Sequence, residues 1–150
     1  KAAGVDGTLV VDYPPEEAEA LVSTLDRAGL ETIFLLSPTT SDSRLKQVAE
    51  LGRGYLYYVS LKGVTGAANI DIADVAKRLE RIRSFTRLPI GVGFGIRDGK
   101  TAHSISQLAD AVVIGSRLVQ EVEAFPKDAP DKVRTFMADI RAAMDAGVKG

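Results

Sequence analysis

The sequence has 150 residues, 45% of them hydrophobic and 26% charged, with a formal net charge of −1, the composition of a single globular domain (1–150) with a sizeable core. It holds no cysteine and one histidine, His103, which argues against disulfide frameworks, thiolate nucleophiles, the usual catalytic triads and any metal site. No apolar run approaches the roughly 20 residues of a membrane span and no secretory pattern opens the chain, so the expected setting is the cytoplasm, with neither membrane nor nucleic acid as partner.

Thr8–Asp12 (TLVVD) reads as a first strand. Pro14-Pro15 and Glu16-Glu17 then suit the start of a helix whose face is Ala18, Leu21, Val22 and Leu25, with Gly29 at its C′ position. Thr32–Leu36 (TIFLL) is a second strand, and Ser41-Asp42 opens a helix carrying Leu45, Val48 and Ala49. The third strand, Tyr55–Val59 (YLYYV), is aromatic and β-branched. Alternation sends Tyr55 and Tyr57 to one face and Tyr58 to the other, under the helices. The strand runs into 60–66, where glycines recur and no apolar period survives. Ile72, Val75, Ala76, Leu79 and Ile82 share a face of the next helix, whose "KRLERIR" (Lys77–Arg83) reads as a solvated face rather than a nucleic-acid patch. Pro89–Gly93 (PIGVG) is a fourth strand, and after Asp98 a helix runs to about Leu108 with His103 on its surface. Ala111–Ile114 (AVVI) is the fifth strand, followed by a short extra helix, Arg117–Glu123. A closing helix from about Asp131 to Met144 turns Val133, Phe136, Met137, Ile140 and Met144 inward.

Each strand run is continuously apolar, as expected when both faces of a parallel sheet are covered. Strands alternating with helices mean right-handed βαβ units. They fit either a complete five-stranded doubly wound sheet or five units of a (β/α)8 barrel, which needs about 250 residues in full. "KAAG" before "VDGTLVVD" resembles the last turn of a helix closing on glycine, and Lys1 is not an initiator methionine, which favours a portion of a larger barrel. Strands 7 and 8 of such barrels commonly bind a phosphate between their loops and the start of a short extra helix. "GVGFGIRDG" (Gly91–Gly99) and "VVIGSRLV" (Val112–Val119) show that arrangement in order, with Gly115-Ser116 at a helix start offering backbone N–H groups and a favourable dipole. The dinucleotide pattern G-x-G-x-x-G is not met.

Together "GVDGTLVVDYPPEE", "IFLLSPTT", "GRGYLYYVSLKGVTGA", "GVGFGI" and "VVIGS" resemble the tryptophan synthase alpha chain family, in order and approximate spacing, over essentially the whole chain. The resemblance implies strands 4–8 of a (β/α)8 barrel. It implies a lyase that cleaves indole-3-glycerol phosphate to indole and glyceraldehyde 3-phosphate by a retro-aldol reaction. No cofactor is expected in this chain; pyridoxal phosphate would belong to a partner, the tryptophan synthase beta chain, in an alpha2-beta2 heterotetramer. Carried over by position, Gly66, Gly95, Gly115 and Ser116 would hold the substrate phosphate, and Tyr57 would approach the glycerol chain. Leu9, Leu35 and Phe94 would enclose the indole. Residues 60–66 would form a mobile loop in which Thr65 steadies a catalytic aspartate. Asp12 and Pro14 would lie at the rim toward the beta chain. Arg97 stands where the family usually has a small polar residue; two roles are open to it, reinforcing the phosphate or facing solvent, and solvent is the one expected.

The principal acid and base are missing from these motifs, because the resemblance places a glutamate and an aspartate in earlier units and no position here matches them. The 150 residues alone are therefore expected to be inactive as a lyase. Another phosphate-binding barrel lyase or isomerase, and a non-catalytic regulatory partner subunit, are the alternatives. A receiver-like signalling domain would need an acidic pair, an aspartate and a lysine at strand ends where the sequence has Asp12 alone, Val59-Ser60 and Gly115-Ser116.

Overall fold

Five short strands pair side by side in the order in which the chain makes them: β1 (Gly7–Leu9), β2 (Glu31–Leu36), β3 (Leu56–Val59), β4 (Ile90–Gly93) and β5 (Ala111–Val113), every neighbouring pair parallel. The helices between and after them are α1 (Glu19–Arg27), α2 (Asp42–Leu51), α3 (Ile72–Arg83), α4 (Gly99–Ser106), α5 (Ser116–Ala124) and α6 (Ala129–Asp145). The computed structural model describes residues 1–11, 13–60, 71–93 and 95–146.

The strand order decides between the two architectures. A doubly wound sheet reverses direction at a switch point, whereas here each crossover steps one strand onward in the same sense. Right-handed crossovers of that kind put the helices on one face. The core shows it: Phe34, Leu36, Leu56, Tyr58, Ile90 and Val92, even-numbered positions of the three central strands, are at most 5% exposed and form one cluster with buried residues of α1, α2, α3, α4 and α6. The sheet is a five-unit portion of a (β/α)8-type barrel, with the helices outside. Burying one aliphatic side chain of this kind stabilises by roughly 1.5–3 kcal/mol, so this layer supplies much of the driving force for folding.

The odd-numbered positions behave differently. Ile33, Leu35, Tyr57 and Val59 are only half-buried, because no helix packs on their face. The expectation that both faces are covered thus holds for one face among the described residues. A barrel strand is apolar on its inner face as well, which hides the alternation that would have revealed this.

Local capping follows the sequence closely. Ser41, Asp71 and Asp98 each accept a backbone N–H from the residue three positions on, satisfying donors that a helix start leaves free. Gly29 ends α1 at φ +66°, a left-handed conformation that suits glycine. The Pro15–Glu17 segment makes a 3-10 turn and α1 begins only at Glu19.

Three expectations need correction. β1 stops at Leu9, its last paired position, and Val10 and Val11 beyond it are 41% and 60% exposed, since pairing with the neighbour rather than apolarity ends a strand. Met137 on α6 is 40% exposed although Ile140 is buried; α6 buries a narrower stripe than its apolar pattern covers. His103 is half-buried, and its Nδ1 donates to the carbonyl of Ala143 at 2.9 Å, so it ties α4 to α6 instead of lying free on the surface. Exposed large apolar side chains gather at the two ends of the sheet: Val5, Val10 and Val11 around β1, and Val119, Val122, Phe125 and Met137 on α5 and α6.

Candidate functional site

The register assembles one row of side chains on the helix-free face. Leu9 pairs with Ile33, Leu35 with Tyr57, Tyr57 with Gly91, and Gly93 with both Val59 and Val113. Directly paired residues in a parallel sheet point the same way, so Leu9, Leu35 and Tyr57 share this face. Tyr58, on the other, is 1% exposed beneath the helices. The tyrosines divide as alternation required.

Two glycines of β4 lie beside two tyrosines of the preceding segment, Tyr57 in β3 and Tyr55 just before it. A Cβ on Gly93 would stand 2.2 Å from Tyr57 Oη and 2.7 Å from its Cζ, far inside van der Waals contact. The Tyr57 ring therefore lies across β4 at the only residue type that admits it. Gly91 sits beside Tyr55 with ordinary spacing, its nearest ring carbon 3.5 Å from such a Cβ. Sequence reading had not separated these glycines from the loop glycines after them. The available signal was their spacing, Gly91 and Gly93 matching Tyr55 and Tyr57 on the preceding strand.

At the C-terminal ends of β3, β4 and β5, Tyr57, Gly95, Arg97, Gly115, Ser116 and Arg117 line one cleft of about 190 Å³. The structure thus brings together Tyr57 and three of the four residues expected at a phosphate. Gly95 has φ +76°, which turns the chain out of β4 sharply. Gly115 stands at the N-cap of α5 with φ −119°, outside the left-handed region, and a Cβ there would meet nothing within 4 Å. Neither backbone strain nor protein packing explains a glycine at that position. Glycine is a favoured N-cap residue, and its bare Cα also leaves the start of the α5 backbone open to a ligand.

Leu35 lines a separate groove of about 340 Å³ with Tyr13, Pro14, Pro15, Ser37 and Arg44. Leu9 lies further along the same face, two registers from Tyr57. Phe94, Thr65, Gly66 and Asp12 lie outside the described residues. Ser60, expected to begin a mobile loop, is 8% exposed; its Oγ and backbone N both donate to the Gly93 carbonyl, at 3.0 and 3.1 Å. It belongs to the strand end.

Burial raises the Tyr57 hydroxyl above its ordinary pKa of 10.0, with a smaller push from neighbouring Tyr55, so at neutral pH it is a protonated, neutral donor. It makes no hydrogen bond among the described residues. Arg117, which sequence reading passed over, pairs with Glu121 and lies 5.2 Å from the centre of the Phe136 ring. Its position one residue after Gly115-Ser116 was the signal that could have found it. Arg97 is exposed, as expected, yet it also lines the cleft.

In the basic run 77–83, Arg81 pairs with Asp42, Arg83 with Asp110 at 3.0 Å, and Arg78 approaches Asp74 at 3.9 Å. That agrees with a solvated helix face. Among the described residues no group of three or more His, Cys, Asp or Glu side chains is placed to hold a metal ion. No described helix is long and apolar enough to cross a membrane.

Comparison with known proteins gives a consistent result. The family model for the tryptophan synthase alpha chain matches residues 1–149. Tryptophan synthase alpha chains of Janthinobacterium sp. (strain Marseille) and Herminiimonas arsenicoxydans are 60% and 58% identical over 146 residues, which is 97% of this chain and 55% of each relative. The chain thus spans about half the length of the curated relatives it matches. Among solved structures, a tryptophan synthase alpha chain of Legionella pneumophila superposes with TM-score 0.85 at 33% identity, covering 99% of this chain and 55% of that one. A structure of the Pyrococcus furiosus tryptophan synthase a2b2 complex gives TM-score 0.81 at 34% identity over 94% and 57%.

Proposed function

The chain belongs to the tryptophan synthase alpha chain family, and from that premise we propose that it supplies the phosphate-binding portion of a (β/α)8 lyase of tryptophan biosynthesis. The reaction is cleavage of indole-3-glycerol phosphate to indole and glyceraldehyde 3-phosphate. In this retro-aldol step the bond between indole C3 and the adjoining carbinol carbon breaks. The carbinol hydroxyl gives up its proton as its carbon becomes the aldehyde, and C3 gains one.

The observation that carries this reading is the cleft at the ends of β3, β4 and β5, with Gly115 at the N-cap of α5, where a side chain would meet nothing within 4 Å among the described residues. A phosphate on the Gly95, Gly115 and Ser116 backbone would meet the first N–H groups of α5 and its positive end. Tyr57 then stands one strand away, a neutral hydroxyl beside the glycerol chain, and the apolar row through Leu35 and Leu9 continues toward the indole. Phe94 would close the indole pocket, while Gly66 would add a phosphate contact and Thr65 would steady the catalytic aspartate; those three roles follow from family membership alone.

The principal acid and base belong to earlier units of the barrel in this family. The 150 residues by themselves therefore bind the phosphate end at best and form no indole. The exposed apolar residues at both ends of the sheet are where three further units would pack. The chain carries no cofactor of its own; it works in the cytoplasm beside a beta chain that holds pyridoxal phosphate in an alpha2-beta2 assembly, the kind of complex described for the Pyrococcus furiosus relative.

The test is Gly115→Val in the complete lyase. Two methyl groups over the α5 start should raise KM for indole-3-glycerol phosphate at least tenfold, about 1.4 kcal/mol, while the urea midpoint falls only by the small cost of replacing a glycine N-cap, since no described residue occupies that space. An unaltered KM would refute the phosphate site.

A further inference from the structure

The phosphate cleft has two guanidinium groups and no carboxylate among the described residues that line it. They are not equivalent. Arg117 is engaged by Glu121 and by the face of Phe136, so much of its charge is answered within the protein. Arg97 makes no ion pair among the described residues. Its nearest acid in sequence, Asp98, is held elsewhere: its Oδ1 accepts the Thr101 backbone N–H at 2.8 Å as the N-cap of α4. The Thr101 hydrogen bonds also hold the Asp98 carboxyl below its ordinary range, so it stays an occupied anion at neutral pH. Arg97, two residues after the left-handed turn at Gly95, lines the same cleft as Gly115 and Ser116 at the start of α5.

We infer that Arg97 is the charged ligand of this cleft, binding the substrate's phosphate monoester and making the site prefer the dianion over the monoanion. The inference rests on the phosphate reading above and adds to it the residue that sets the charge preference. A guanidinium offers paired N–H donors that match two phosphate oxygens. Backbone N–H groups and a helix start favour any anion, whereas a full positive charge gains most from the second negative charge of the ligand. An exposed arginine with no partner costs little to recruit, since no internal ion pair must break.

The experiment measures binding of glycerol 3-phosphate to the complete lyase by calorimetry, on either side of the second phosphate ionisation near pH 6, at about pH 5 and about pH 7.5. The wild-type protein should bind more tightly at the higher pH. Arg97→Gln should weaken binding there by about 5–10-fold, with much less effect at the lower pH, and Arg97→Lys should recover part of the loss. Because Arg97 is exposed, the urea midpoint of each variant should match the wild type. If Arg97→Gln binds like the wild type at pH 7.5 while Gly115→Val does not bind, the inference is wrong and the site stands. Equal loss at both pH values removes the dianion preference. If neither variant alters binding, or the wild type fails to bind, the phosphate reading itself falls, and this inference with it.

Discussion

Replacing Gly93 by alanine probes the packing of Tyr57 directly. The added methyl would lie 2.2 Å from Tyr57 Oη, 2.7 Å from Cζ and 2.9 Å from Cε2, against about 3.5–4.0 Å for a comfortable contact. The ring must therefore shift by roughly an ångström, and it is too rigid to bend around a β4 backbone fixed by pairing on both sides. Overpacking of this kind costs about 1–3 kcal/mol, offset by up to about 1 kcal/mol from stiffening the unfolded chain, for a net loss near 1–2 kcal/mol. Gly91→Ala is the internal control: same strand, same face, but nearest neighbours at 3.5 Å, so it should be neutral or slightly stabilising. Tyr57→Leu removes the obstructing ring atoms, and combined with Gly93→Ala it should be less destabilised than the two single changes summed, by about 1–3 kcal/mol. Urea unfolding followed by far-ultraviolet circular dichroism reads all four variants, since the chain has no tryptophan and Tyr57 is itself being changed. Equal losses for the two alanines, or strict additivity in the double variant, would refute the reasoning.

Thr32 is 4% exposed and its Oγ1 has no hydrogen-bond partner, so Thr32→Val, of the same shape, should raise stability by about 1 kcal/mol; a lower urea midpoint would show that the hydroxyl is satisfied. Asp98 has its folded-state pKa depressed below 3.8 by bonds from Thr101, so its contribution is present above that value and lost as pH falls through the folded-state pKa. Asp98→Ala should then cost about 1 kcal/mol at pH 7, and the gap to the wild type should close in acid below about pH 4. A gap that persists at low pH would contradict the assignment.

Much of the fold could be read from local sequence, because local physics fixes it. Ser41 and Asp98 announce helix starts through their own side-chain oxygens, Gly29 announces an end through its backbone, and the runs at 32–36, 55–59 and 89–93 are strands by apolar content and length. The cleft residues Gly95, Gly115 and Ser116 were also visible, as glycines and a serine where strands end and a helix begins. Errors arose where a neighbour decides: Val10 and Val11 look like strand but leave the ladder although β2 runs on to Leu36, Met137 fits an apolar stripe wider than the surface that α6 covers, and His103 finds its partner forty residues away on α6.

The sequence by itself determined the alternation of strand and helix, the tyrosines' division between two faces, the glycine-serine start of α5, and the family resemblance those motifs carry. The tertiary structure decided by strand order between the barrel and the doubly wound sheet, which strand and helix patterning left open and only the motif resemblance addressed, since both use the same local units and differ in which side of the last strand the next one joins. It alone showed that Gly93 is the seat of Tyr57, and that Arg117 is answered within the protein while Arg97 is left to the cleft. Those facts depend on distances between segments far apart in the chain, and such distances are set by register and packing rather than by any residue's own preference.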